Sequence, residues 1–193
     1  MPQILSFKNK GFTIVELIVT IFILSIAVIG VFGAFSIMIV LTSTSADRLT
    51  AAYLAQEGVE IIRNIRDTNW LEADTNTDID TAWDEGLQNC ESALGCMVDY
   101  RTTGSTEHPV IPRTNSDSDY LGIDAMGFYN YNEGTPTKFK RKITITYLPD
   151  GDSSSDYIMK VSVEVFWDQK PNILNPNGGQ ESIKAEDTLY NWY

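Results

Sequence analysis

One carboxylate stands where a carboxylate is hardest to keep. Glu16 opens a run, Leu17 to Leu41, with no ionisable residue and only Thr20, Ser25 and Ser36 as polar side chains. A run above about 18 apolar residues is long enough to cross a bilayer as a helix. A single lipid-exposed segment must be helical, because its backbone has to bond to itself. An isolated acid at the membrane is costly and calls for a partner. The residues ahead of the run offer one. Lys8 and Lys10 form a small basic cluster, and Gly11 follows. A cut after Gly11 makes the amino group of Phe12 a new cation, with Glu16 the fifth residue of the product.

Two other clusters invite chemistry. Cys90 and Cys96 are the only cysteines and enclose ESALG. In an exported chain two such neighbours suit a small disulfide loop; two reduced thiols are the alternative. The spacing is wrong for a redox CxxC, and a zinc site is poorly served with His108 as the only histidine. Asp74, Asn76, Asp78, Asp80 and Glu85 follow the spacing of a calcium-binding loop, with Glu85 where a bidentate carboxylate belongs. Ile79 occupies the position that needs Gly, and Thr81 one that is usually apolar. A solvated acidic turn is the competing interpretation, and Asp117 with Asp119 forms a weaker second acidic cluster. Calcium apart, no cofactor is expected. There is no phosphate loop, dinucleotide fingerprint, GxSxG or HExxH, and His108 has no sequence-level triad to join. No residue is expected to be catalytic.

The elements that must carry these residues can be read in order. The chain has 193 residues and a net charge of −12, a balance that repels phosphate backbones and speaks against direct nucleic-acid binding. A proline-free helix is expected from Phe12 to about Asp67, locally weakened by Gly30 and Gly33. Those glycines allow either local melting or close helix packing. Beyond a polar patch at Thr42 to Ser45, the residues Ala51, Leu54, Ala55, Gly58, Ile61, Ile62 and Ile65 recur at helical spacing and need a cover. Glu60, Arg63 and Asp67 are placed to pair on another face. Asn69 to Leu87 reads as a loop anchored by Trp70 and Trp83, and Cys96 to Arg101 as a short strand. Thr102 to Ser118 reads as a surface loop. Phe128, Tyr129 and Tyr131 either line a binding surface or fill a core.

The clearest strand signal is the alternation of Ile143, Ile145 and Tyr147, then of Met159, Val161, Val163, Val165 and Trp167, on either side of a Pro-Asp-Gly turn. That is a hairpin with one buried face, the cover the helix needs. Lys138, Lys140, Arg141 and Lys142 read as a solvated strand edge, or as a patch for an acidic neighbour. Lys170 to Gln180 is a Pro-, Asn- and Gly-rich loop. Glu181 to Leu189 supplies a last strand, and the terminus with Tyr190, Trp192 and Tyr193 is expected to dock on the domain. The fold class expected is α+β: a long amino-terminal helix, with a transmembrane half and an amphipathic half, packed on a carboxy-terminal antiparallel sheet. The boundaries are 1–11 for a leader, 12–41 and 42–67 for the two helix halves, and 68–193 for the globular part.

The segment K-x-K-G-F-T-I-V-E-L-I-V-T-I at positions 8 to 21 resembles the class III signal peptide of type IV pilins and pseudopilins. An ordinary secretory signal loses its apolar region with the leader, and that region is shorter than this one. The resemblance implies cleavage after Gly11 by a prepilin peptidase and methylation of the Phe12 amine. It also implies a structural, non-enzymatic role: assembly through Phe12 and Glu16, with other pilin subunits and a membrane assembly platform as partners. The lipid bilayer holds the chain before assembly, single-pass in the cytoplasmic membrane with the carboxy-terminal domain outside, and a cell-surface or periplasmic filament afterwards. A helix-breaking proline that the family often carries near Gly33 is missing here. The alternative function is a signal-anchored extracellular binding or adhesion module that stays monomeric.

Overall fold

The computed structural model of the chain describes residues 11–75, 82–114, 119–149 and 157–191. The architecture is α+β. Helix α1 spans Ile14–Thr75, and seven strands follow: β1 (Cys96–Met97), β2 (Ile111–Pro112), β3 (Tyr120–Ile123), β4 (Tyr129–Asn130), β5 (Thr135–Pro149), β6 (Tyr157–Gln169) and β7 (Gly179–Leu189). The chain divides into two compact units, Met1–Ser43 and Thr44–Tyr193.

In the first unit every residue from Gly11 to Ile39 is exposed. The few hydroxyls are satisfied within the helix itself. Thr20 Oγ1 donates to the carbonyls of Glu16 and Leu17, both at 2.9 Å, Ser25 Oγ to Ile21 at 2.8 Å and Ser36 Oγ to Phe32 at 3.1 Å. From Leu17 to Leu41 the helix presents only apolar surface and self-bonded polar atoms, which is what a hydrocarbon solvent tolerates. It is long and apolar enough to cross a membrane.

In the second unit the remainder of α1 lies on an antiparallel sheet. β5 is the hub. It pairs with β6 from Phe139↔Trp167 to Pro149↔Tyr157, and its other edge is shared by β3 and β1. β2 extends β1, β4 extends β3, and β7 closes the far side against β6. The expected stripe is the buried one: Ala51, Leu54, Ala55, Ile62 and Ile65 are in the core, joined by Val59, while Ile61 is only partly covered. The expected hairpin faces it with Ile143, Ile145, Met159, Val161, Val163, Val165 and Trp167. Fully burying an isoleucine such as Ile62 or Ile65 is worth about 1.5–3 kcal/mol, so this seam is the main source of stability. Gly58 lies at a tightly filled point of this seam. A Cβ added there would stand 2.8 Å from Val163 Cγ1 and 3.2 Å from Arg141 Cδ.

Three expectations need correction. The helix does not stop near Asp67 but continues to Thr75, so Asn69 and Trp70 are helical. The extension is held by an i,i+4 contact, the Arg66 guanidinium 4.4 Å from the centre of the Trp70 ring, and by two tertiary ones, Trp70 stacking on Trp83 and its indole N–H donating to Asn191. The surface loop from Thr102 contains a short strand, β2, that pairs with β1. The lysine-rich stretch is not an edge, because β5 is paired on both sides, and Arg141 is fully buried. Strand periodicity explains this, since position 141 shares the inward face with 139, 143 and 145. Asp119, named with Asp117 as a weaker acidic cluster, stands beside a cation. It is buried, with Oδ2 3.0 Å from Nε of Arg113. Asp117 lies outside the described residues, as do the Pro-Asp-Gly turn beyond Pro149 and the last two aromatics.

Candidate functional site

The site the sequence singles out is the start of α1. Gly11, Phe12 and Thr13 precede the helix, and Phe12 is 79% exposed. The peptide after Gly11 is therefore in non-helical, accessible backbone. Thr13 caps the helix. Its carbonyl accepts the first helical bond from the Leu17 N–H at 3.1 Å, and its Oγ1 accepts the Glu16 N–H at 3.3 Å. That is half of a capping box, T-x-x-E, in which a side-chain oxygen satisfies an N–H the helix leaves open. The signal was present in Thr13-Ile-Val-Glu16 and was missed. Glu16 thus sits in the first turn, where the helix dipole favours an acid by about 0.3–1 kcal/mol. Among the described residues its carboxylate has no hydrogen bond or ion pair. Lys8 and Lys10 lie outside the described residues.

The second unit holds its chemistry-bearing residues in structural roles. Cys90 and Cys96 form a disulfide. Both cysteines are buried. The candidate calcium loop lies largely outside the described residues: Asn76, Asp78 and Asp80 are not described, Asp74 is in the last turn of α1, and Glu85 is exposed with its carbonyl accepting from Asn69 Nδ2 at 3.0 Å. Asn69 also donates to the Trp83 carbonyl at 3.2 Å, so one helical amide pins the segment Trp83 to Glu85.

Arg141 is the residue sequence reasoning misplaced. Its Nη1 donates to the Leu54 carbonyl at 2.9 Å and to Glu57 Oε2 at 3.0 Å, and its Nη2 donates to the Val98 carbonyl. One guanidinium therefore ties the central strand to the helix and to the segment after β1. Of the expected charge trio, Arg63 bonds Glu60 and also reaches Asp187 on β7, both at 2.6 Å, whereas Asp67 pairs with Arg66. Of the three aromatics, Tyr129 and Tyr131 pack against the core and Phe128 is half exposed beside Tyr100. Burial pushes the Tyr131 phenol pKa up. The Tyr190 carbonyl and the Asn191 side chain meet Arg66 and Trp70, so the described end of the chain docks on the helix.

A capped, largely apolar helix start with one acid in its first turn, followed by a helix-on-antiparallel-sheet unit, is consistent with a pilin-like α+β fold. The chain carries the prokaryotic N-terminal methylation motif, whose family model matches residues 6–32. That match supports a type IV pilin-like protein with a class III signal peptide. No curated protein and no solved structure matches the chain.

Proposed function

We propose that the chain is a structural subunit, a minor pilin or pseudopilin, of a type IV pilus or type II secretion-like filament. It is cut after Gly11 by a prepilin peptidase, waits in the cytoplasmic membrane with its sheet-bearing unit outside, and enters the filament through its amino-terminal helix. The observation that carries this reading is Glu16, an acid without a partner in its own described chain, at the head of a helix otherwise fit for hydrocarbon and inside the matched motif. An unpaired carboxylate among packed apolar helices costs several kcal/mol, on the order of the desolvation of any buried charge. The Phe12 ammonium of a neighbouring copy offsets that cost and does so at one axial stagger only. The pair therefore sets register as well as affinity, as buried polar pairs do between coiled helices.

The test is Glu16→Ala in the native host. Filament recovered from the cell surface or from periplasmic fractions should fall at least tenfold, while the variant remains in the membrane at normal level. Unchanged filament yield would remove Glu16 from assembly. If the wild-type chain is never found in a filament and only its ligand binding can be measured, the monomeric anchored module replaces this reading.

A further inference from the structure

The loop between β6 and β7 has a feature that packing does not explain. Ile173 and Leu174 are adjacent, large and apolar, and are 65% and 52% exposed. They are not on a loose tip. Asn172 Oδ1 accepts the N–H groups of Leu174 at 2.9 Å and Asn175 at 2.8 Å, and the Asn172 N–H donates to the Asn175 carbonyl at 2.9 Å. The Gly178 N–H donates to the Asn175 carbonyl at 3.2 Å, and Asn175 Nδ2 donates to the Gly178 carbonyl at 3.1 Å. The turn is thus closed on itself and carries two exposed hydrophobic side chains. Scattered exposed apolar residues are ordinary, but an adjacent pair held outward on a self-bonded turn is pre-organised for a partner.

The position of the loop names the partner. Its entry residue Gln169 donates through Nε2 to Thr44 Oγ1 at 3.0 Å, and Arg48 bonds Glu181 at its exit at 3.1 Å. Both contacts lie at the amino-terminal end of the helix segment within the second unit. Thr44 follows the last residue of the apolar run, Leu41, by three positions. Chain continuity therefore keeps this end of the unit close to the surface of any bilayer the run spans. The composition agrees. In a chain with 26 acidic residues, the stretch Lys170 to Gln180 has none, and its one charge is Lys170. Apolar side chains with a flanking lysine and no carboxylate suit the boundary between headgroups and acyl chains, where an acid would have to be desolvated.

We propose that Ile173 and Leu174 form a membrane-interface contact that rests the outer unit on the lipid surface before assembly. This rests on the reading of Leu17 to Leu41 as membrane-spanning. The test uses the full chain reconstituted in liposomes. Among the described residues there is no free cysteine, and both cysteines of the sequence are in the disulfide. Leu174→Cys therefore offers a single thiol for an environment-sensitive fluorophore. Thr146→Cys, exposed near the other end of β5, is the control, and Ile29→Cys reports the apolar run. Lipids carrying a nitroxide high on the acyl chain should quench the probe at 174 at least threefold more than the probe at 146. Equal quenching at 174 and 146, with deep-nitroxide quenching at 29, overturns the contact and leaves the spanning helix intact. Loss of quenching at 29 overturns both. A probe at 174 that is shielded only as protein density in the membrane rises, and is not quenched by lipid nitroxide, assigns the loop to a second copy and also overturns the proposal.

Discussion

At the scale of single residues, two charged groups carry the physical argument in opposite ways. Glu16 is an exposed acid with no hydrogen bond or ion pair among the described residues, whereas Arg141 is a buried cation already supplied with acceptors. Arg141 is fully buried, yet its guanidinium reaches a carbonyl and a carboxylate on α1 and a second carbonyl on the segment after β1. Removing one partner of a buried charged network costs about 3–5 kcal/mol. Arg141→Ala is therefore expected to lower the stability of the full chain by about that much in denaturant titration. Glu57→Gln should cost far less, because Glu57 stays partly in water and the two carbonyls remain. Equal losses for the two variants would mean that the ion pair, and not the carbonyl anchorage, dominates. Asp124 sets a pH dependence. The Phe128 N–H, then the Tyr100 hydroxyl and further backbone donors, hold its carboxyl below the usual range. A folded pKa below the unfolded value gives stability that is present above the unfolded pKa, about 3.9 for Asp, and lost as pH falls through the folded one. Thermal melts of the wild type and Asp124→Asn should differ at pH 6 and converge towards pH 2. A gap that persists at pH 2 would contradict the assignment.

At the scale of elements, the helix–sheet seam depends on how tightly sheet side chains fill the space against the helix. Gly58 is the position that permits this filling, with Val163 and Arg141 directly opposite. Alanine improves helix propensity by up to about 1 kcal/mol over glycine, but overpacking a filled seam costs about 1–3 kcal/mol. Because Val163 belongs to β6, which is paired on both sides, it has little room to yield. Gly58→Ala should lower the melting temperature and Gly58→Val should lower it further. A rise with Gly58→Ala would show that the seam has slack. Most of this element-level picture was legible: the three- and four-residue spacing from Ala51 to Ile65 and the alternation on both arms of the hairpin each named their buried faces. Arg141 was not, because its charge argued for solvent while its parity argued for the core. Parity prevailed because the folded chain brings the Leu54 and Val98 carbonyls to it. The run from Asn69 to Thr75 read as loop because its order comes from Trp83, Glu85 and Asn191, partners far along the chain.

At the scale of the whole molecule, one sequence joins a helix start that nothing in its own unit covers to a unit whose core is closed. An exposed, wholly apolar helix is unstable in water, so the chain needs either lipid or other helices around it. On the proposed reading a membrane and then a filament supply these in turn, and Glu16 would distinguish them, being poorly served by lipid and well served by a neighbouring amino terminus. The candidate site was legible from the sequence because its motif is local, KGFTIVE, and needs no tertiary contact to recognise. The cap made by Thr13 was legible too and was overlooked. Everything in this account turns on whether the amino group of Phe12 exists. The most direct measurement is the intact mass and amino-terminal sequence of the protein recovered from a host that possesses the peptidase. The account predicts a chain that starts at Phe12 and carries one added methyl group on its amine. A chain still starting at Met1 would contradict it, because Glu16 would then have no ammonium to meet.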